Sequence, residues 1–256
     1  VRLARRLAER GHLVVRFDHA GLGDSDARND GLPFAESSLL EVREVMDYLR
    51  ANNGAQSFIA IGLCSGASTA VLTAQQDERI VGAVLINPPG GSGGDAGVDQ
   101  HLMNEGWAKR YLSVAMFDPR SWWRALTGRI EYRRMARVLW THLLNRIRPP
   151  KQLADQFSGI ASMLQGITQR GTRLLFVFSA NDEGSNFALR LLEDPSLGTT
   201  LSTGAIQRVV ISGTDHTFAL HCSQEELFSA IERFTSQLTH ATPLSGRMDC
   251  ASTTSR

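Results

Sequence analysis

Cysteine is scarce in this chain: three in 256 residues, Cys64, Cys222 and Cys250. Three thiols cannot build the framework of a small disulfide-stapled domain. Their spacing suits neither a zinc ribbon nor a redox Cys-x-x-Cys pair. Lysine is scarcer still. Lys109 and Lys151 stand against 25 arginines, a bias that fits the codon usage of a GC-rich genome. Gly is 23 and Pro is 8, with no period of three, which excludes a collagen-like chain. The net charge is only +1, with 42% hydrophobic residues, so the chain lies outside the weakly hydrophobic, highly charged class that stays disordered. Long apolar runs are missing too. The uncharged stretch 52–76 is broken by Gly54, Ser57, Gly62, Ser65, Thr69 and Gln75, unlike the ~20-residue apolar run that spans a bilayer. The first apolar residues alternate with Arg2, Arg5, Arg6 and Arg10, which is not a signal-peptide pattern. A reduced cytoplasmic setting is the resulting expectation, with no metal, no cofactor and no integral membrane segment.

What is present is a core-forming pattern long enough for one large α/β domain. Residues 2–10 carry Leu3, Leu7 and Ala8 at helical spacing, and Gly11 supplies a stop. Residues 12–18 are rich in β-branched side chains and predict a strand, followed by a turn around Gly21, Gly23, Asp24 and Ser25. A helix over 36–51 would present Leu39, Leu40, Val42, Val45, Met46 and Leu49. Apolar strands are predicted at 58–63, 80–86, 174–178 and 207–211, with a helix of small residues at 65–76. Asn87, Pro88 and Pro89 halt the second of these strands. Residues 100–170 read as helical, without a convincing strand. A last helix starts at Ser223, where Glu226 completes a capping box, and its face is Leu227, Phe228, Ile231, Phe234 and Leu238. Strands alternating with helices imply a doubly wound, mostly parallel sheet covered on both faces. In such sheets functional groups gather at the carboxyl ends of the strands.

Three strand ends carry reactive residue types. The strand at 58–63 runs into Gly62, Leu63, Cys64, Ser65, Gly66 and Ala67. Cys64 has glycine two before and two after, where side chains would crowd the neighbouring strand and helix. The other register, with Ser65 at the centre, would put Leu63 and Ala67 at those positions. A cysteine heading a helix meets the partial positive charge that favours thiolate, the attacking species. Asp182 and Glu183 follow the strand at 174–178. His216 follows the strand at 207–211, beside Asp215. Singly, these are also what a buried crossover cysteine, a turn aspartate and a polar loop histidine look like. In order and each at a strand end, they form a nucleophile, acid and base set.

The segment Gly62-Leu63-Cys64-Ser65-Gly66 resembles the G-x-Nuc-x-G nucleophile elbow of α/β-hydrolases, with Cys where most members have Ser. Gly213, Asp215, His216 and Phe218 resemble that family's G-x-D-H-x-F histidine loop. Asp18, Gly21, Gly23 and Ser25 resemble its D-x-R-G-x-G-x-S turn, with Ala20 in place of the usual Arg and His19 adjoining. The resemblance is closest to bacterial serine-aminopeptidase and lysophospholipase-like hydrolases. The Cys elbow is shared with dienelactone hydrolases and polyhydroxyalkanoate synthases. It implies Cys64 as nucleophile, His216 as base, Asp182 as orienting acid and the Ser65 backbone N–H as an oxyanion donor, with Asp215 and Glu183 as rival acids. It implies a core of residues 1–88 and 173–238, a helical cap at 89–172, and a disordered Ser/Thr-rich tail at 239–256. It also implies strands preceding Val1, one of them between the segments at 12–18 and 58–63, and a second oxyanion donor among them.

The expected cap holds Trp107, Trp122, Trp123 and Trp140, as pocket lining or as the cap's own core. From Lys109 to Lys151 it carries +9, leaving −8 elsewhere. That charge could steer a small anionic acyl substrate, touch an anionic surface, or form a solvated face. No nucleic-acid module accompanies it. The expected reaction is hydrolysis of an ester or thioester. The alternatives are acyl transfer through the same triad and ligand binding without turnover.

Overall fold

The fold is given by a computed structural model that describes residues 1–89, 151–180, 182 and 186–241. In chain order the elements are α1 (Arg2–Glu9), α2 (Phe34–Asn53), β1 (Phe58–Leu63), α3 (Ser65–Gln76), β2 (Ile80–Ile86), α4 (Lys151–Gln169), β3 (Arg173–Ser179), α5 (Asn186–Leu191), a 3-10 turn (Pro195–Leu197), α6 (Gly198–Ser202), β4 (Ile206–Ile211) and α7 (His221–Ala241). The four strands pair in parallel, in the order β1-β2-β3-β4.

Side-chain alternation divides the core in two, because successive strand residues point to opposite faces. Ala83 and Leu85 of β2, with Leu174, Phe176 and Phe178 of β3, pack beneath Met46 of α2, Ala67, Ala70 and Ala74 of α3, and Ala161, Leu164 and Ile167 of α4. Val84, Ile86, Leu175 and Val177 face the other way, onto Leu7 of α1 and Phe228, Ile231, Phe234 and Leu238 of α7. Both faces are therefore covered, and the central strands carry continuous apolar runs. Gly82 allows α7 to lie directly on β2: a Cβ there would stand 2.4 Å from Leu238 Cδ1. Among the described residues, no helix is long and apolar enough to cross a membrane.

Three local expectations are corrected. Residues 12–18 pair with no strand. A strand exists only through its ladder, and among the described residues β1 has no partner on its outer side. Leu13, Val15 and Phe17 are left exposed, while Val14 packs on the second core cluster. The last helix starts at His221, so Ser223 lies inside its first turn. Its hydroxyl donates to the Leu220 carbonyl at 2.8 Å and accepts from Thr214. The buried face of α2 includes Ser37, Ser38 and Glu41 beside Met46 and Leu49, whereas Leu39, Leu40 and Val45 are only half-buried.

Of the expected cap, residues 90–150 lie outside the described residues, as do all four tryptophans. The described part, α4, contributes to the cover of the sheet. Of the expected tail, α7 includes residues 239–241, and the remainder lies outside the described residues.

Charge fastens α1 to α7. Arg6 pairs with Glu232 at 2.7 Å and with Glu225. Arg10 reaches Glu232 at 2.9 Å, and Arg2 reaches Glu225 at 2.8 Å. Arg2 and Arg6 also lie over the Phe228 ring, at 5.7 and 5.4 Å. Burial alone would raise the Glu232 carboxyl, but the Arg6 hydrogen bonds and the charges of Arg6 and Arg10 hold it below its ordinary value. A carboxylate depressed in the folded state stabilises above its unfolded pKa and loses that contribution as pH falls through its folded value. Glu232→Gln should therefore lower stability by roughly 1–3 kcal/mol at neutral pH. Urea titrations at successively lower pH should show the two proteins converging as the wild-type carboxylate protonates.

Candidate active site

The carboxyl edge of the sheet brings several polar residues together. At the end of β1 the chain turns into α3 through Cys64, whose φ is 54° and ψ −119°. Positive φ is unfavourable for a residue with a Cβ, so the turn must be held from both sides. The Cys64 N–H donates to the Ile86 carbonyl at 2.9 Å, and its own carbonyl accepts from Ala67 N–H at 2.9 Å. The thiol is half-buried and heads the 12-residue helix α3. Ser65 is the first residue of that helix and is exposed. First-turn N–H groups have no intrahelical acceptor, which makes them natural donors to an anion.

The glycines flanking Cys64 are not equivalent. A Cβ on Gly62 would stand 2.0 Å from the Gly66 carbonyl oxygen and 2.5 Å from Ala67 N. Among the described residues, one on Gly66 meets nothing within 4 Å. The steric argument from the sequence thus holds at the −2 position and fails at +2.

Asp182 and His216 meet. His216 Nδ1 lies 3.1 Å from Asp182 Oδ2, with the aspartate side chain 11% exposed and the imidazole 40% exposed. A carboxylate only accepts, so donation from Nδ1 to Asp182 would leave Nε2 for exchange. Asp182 N–H bonds to the Ser179 carbonyl at 3.1 Å, just past β3. Among the described residues no hydrogen bond joins Cys64 Sγ to His216.

The rival acid Asp215 serves its own loop. It accepts from Ala219 N–H at 2.9 Å and Thr217 Oγ1 at 3.0 Å, and the Ala219 bond leads in holding its carboxyl below the usual range. Glu183 lies outside the described residues. His19 is engaged with Glu41, Nδ1 to Oε2 at 2.7 Å, between the edges of Phe17 and Phe34. The Ala20 N–H donates to the same carboxylate oxygen at 3.1 Å, while Glu41 Oε1 is buried with no hydrogen-bond partner. Among the described residues no cluster of three or more His, Cys, Asp or Glu could hold a metal ion.

The sequence reading passed over Asn87, treating it only as a strand stop. It is fully buried, has φ 42°, and hydrogen-bonds to Ser179 and His216. The available signal was an asparagine directly past an apolar strand, since asparagine tolerates left-handed backbone.

The profile of the alpha/beta hydrolase family matches residues 1–230. The chain belongs to the alpha/beta hydrolase family. Membership carries the coarse assignment of hydrolase and leaves open the bond cleaved. Solved structures agree in fold. An esterase of Pyrococcus furiosus superposes with a TM-score of 0.55 at 16% identity, covering 93% of this chain and 74% of its own. A meta-cleavage product hydrolase of Pseudomonas fluorescens gives 0.53 at 18%, covering 92% and 84%. An alpha/beta hydrolase of a Penicillium species gives 0.52 at 17%, covering 93% and 83%. No curated protein matches the sequence.

The elbow geometry separates two substitutions. Gly62→Ala should cost more than about 3 kcal/mol, as overpacking against backbone that cannot move aside does. Gly66→Ala should be neutral or stabilising by up to ~1 kcal/mol, since alanine favours helix. Chemical denaturation of the two variants would measure the difference.

Proposed function

We propose that this hydrolase cleaves a carboxylic ester or thioester through an acyl-enzyme on Cys64. The observation that carries the reading is the Asp182–His216 contact of 3.1 Å, on the sheet edge where Cys64 occupies its left-handed turn. His216 takes the thiol proton and Sγ attacks the acyl carbon, forming a C–S bond and an oxyanion. The Ser65 N–H is one donor to that oxyanion. Collapse breaks the bond to the alcohol or thiol leaving group, which receives the proton from His216. Water then attacks the thioester with His216 as base, releasing the acid and the free thiol. Asp182 holds the imidazole in the required tautomer and stabilises its charged form. The missing Cys64–His216 hydrogen bond is compatible with this scheme, because such contacts often tighten only when substrate binds.

Acyl transfer uses the same first half-reaction, with an alcohol or amine replacing water in the second. A ligand-binding role without turnover would leave the paired acid and base unused. The +9 stretch from residue 109 to 151 favours a small anionic acyl substrate.

Turnover of p-nitrophenyl esters and acyl thioesters of graded chain length tests the proposal. Cys64→Ala should abolish it, and His216→Ala should lower it by about 100-fold or more and raise the pH midpoint of Cys64 labelling by iodoacetamide toward that of a free thiol. Ester turnover that survives Cys64→Ala would refute the nucleophile. Rates on matched neutral and anionic substrates should diverge as salt is lowered if the basic stretch steers substrate.

A further inference from the structure

We infer that Asn87 is the positioning residue of the Asp182–His216 pair; the inference rests on the triad proposed above. Asn87 is the first residue past β2, between the strand that leads to Cys64 and the strand that leads to Asp182. It has no exposed surface. Its N–H donates to the Val177 carbonyl at 2.8 Å, extending the β2–β3 ladder by one step. Its φ of 42° takes the backbone out of the sheet there.

The side-chain amide makes two bonds of opposite polarity. Oδ1 accepts from Ser179 N–H at 2.8 Å, and Nδ2 donates to the His216 carbonyl at 2.7 Å. The assignment of oxygen and nitrogen is unambiguous, because a backbone N–H only donates and a carbonyl only accepts. One rigid planar group thus ties the last residue of the acid's strand to the histidine's own backbone. The Ser179 carbonyl receives the Asp182 N–H, and Ser179 Oγ donates to the Thr214 carbonyl at 3.3 Å. The acid loop and the histidine loop are therefore joined at Asn87 and Ser179, beneath the 3.1 Å contact between their side chains.

Four residue types could stand here without losing the turn: Asn, Asp, His and Gly tolerate positive φ best. Of these, asparagine alone presents an acceptor and a two-hydrogen donor on one short planar group. Aspartate would set a second acceptor against the His216 carbonyl. Glycine would leave both Ser179 N–H and the His216 carbonyl without their partner. The described bonds of Asn87 go to backbone groups of Val177, Ser179 and His216 and to no reacting atom of this scheme. It acts through His216, by setting where the imidazole stands relative to Asp182.

The test is a double-mutant cycle of Asn87→Gly and Asp182→Asn, read by the rate of iodoacetamide labelling of Cys64 across pH. Asn87→Asp is run in parallel; it keeps the acceptor for Ser179 and removes the donor to His216, so it carries the test if the glycine variant does not fold. An imidazolium that loses its carboxylate stabilises the Cys64 thiolate less. Each single variant should raise the labelling midpoint, by about one pH unit for a displaced charge partner. The double variants should shift it no further than Asp182→Asn alone, because both changes remove the same contact. Additive shifts would overturn the role of Asn87 and leave the triad standing. A midpoint unmoved by Asp182→Asn would overturn the triad itself, and the positioning role with it.

Discussion

Parallel pairing of β2 with a strand on each side is the constraint on which the rest of the molecule depends. Parallel strands end on one edge, and here the ladder continues past the strands into the turns. Cys64 N–H reaches the Ile86 carbonyl, Asn87 N–H reaches that of Val177, and Ala180 N–H reaches that of Ile211. Each bond steps one strand across the sheet. Together they fix the relative heights at which the Cys64 turn, the Asp182 loop and the His216 loop leave the core. The polar edge is thus placed by backbone geometry before any side chain contributes.

The two faces of the sheet do different work. The face beneath α2, α3, α4 and α5 is almost wholly apolar, and alanines of α3 let that helix lie close to the strands. Among the described residues the opposite face carries α1 and α7, and charge as well as apolar contact joins them. Arg6 and Arg10 meet a glutamate whose side chain is 7% exposed. Such a pair loses hydration as well as gaining attraction. Its value is to fix where α1 lies along α7, while Leu7 supplies the burial.

Much of this was readable from the residues. β1, β2 and α3 could be placed because 58–63 and 80–86 are unbroken apolar runs and 65–76 is a stretch of small residues. Cys64, Asp182 and His216 could be named as candidates because each follows a strand of a parallel sheet, and the structure brings Asp182 and His216 to 3.1 Å. Residues 12–18 misled for a physical reason. Their composition suits a strand, but a ladder is a property of two segments, and composition describes one. Ser223 misled differently: its hydroxyl donates back to the Leu220 carbonyl and accepts from Thr214 in the preceding loop, bonds that the capping pattern does not contain. Gly66 fitted a motif that the packing does not require. Asn87 was missed because its side-chain hydrogen bonds to Ser179 and His216 reach 92 and 129 residues along the chain.

β1 stands at the edge of the four-stranded sheet. Opening it breaks one ladder, whereas opening β2 breaks two. Its Ile61 and Leu63 are 37% and 40% exposed, while every β2 residue except Val81 is buried. Local opening follows the lowest density of buried contacts. Among the described residues, the left-handed turn at Cys64 therefore hangs from an edge strand, as the His216 loop does from β4 at the other edge. Amide exchange would be faster along β1 than along β2, so the backbone beside the Cys64 thiol opens more readily than the centre of the sheet.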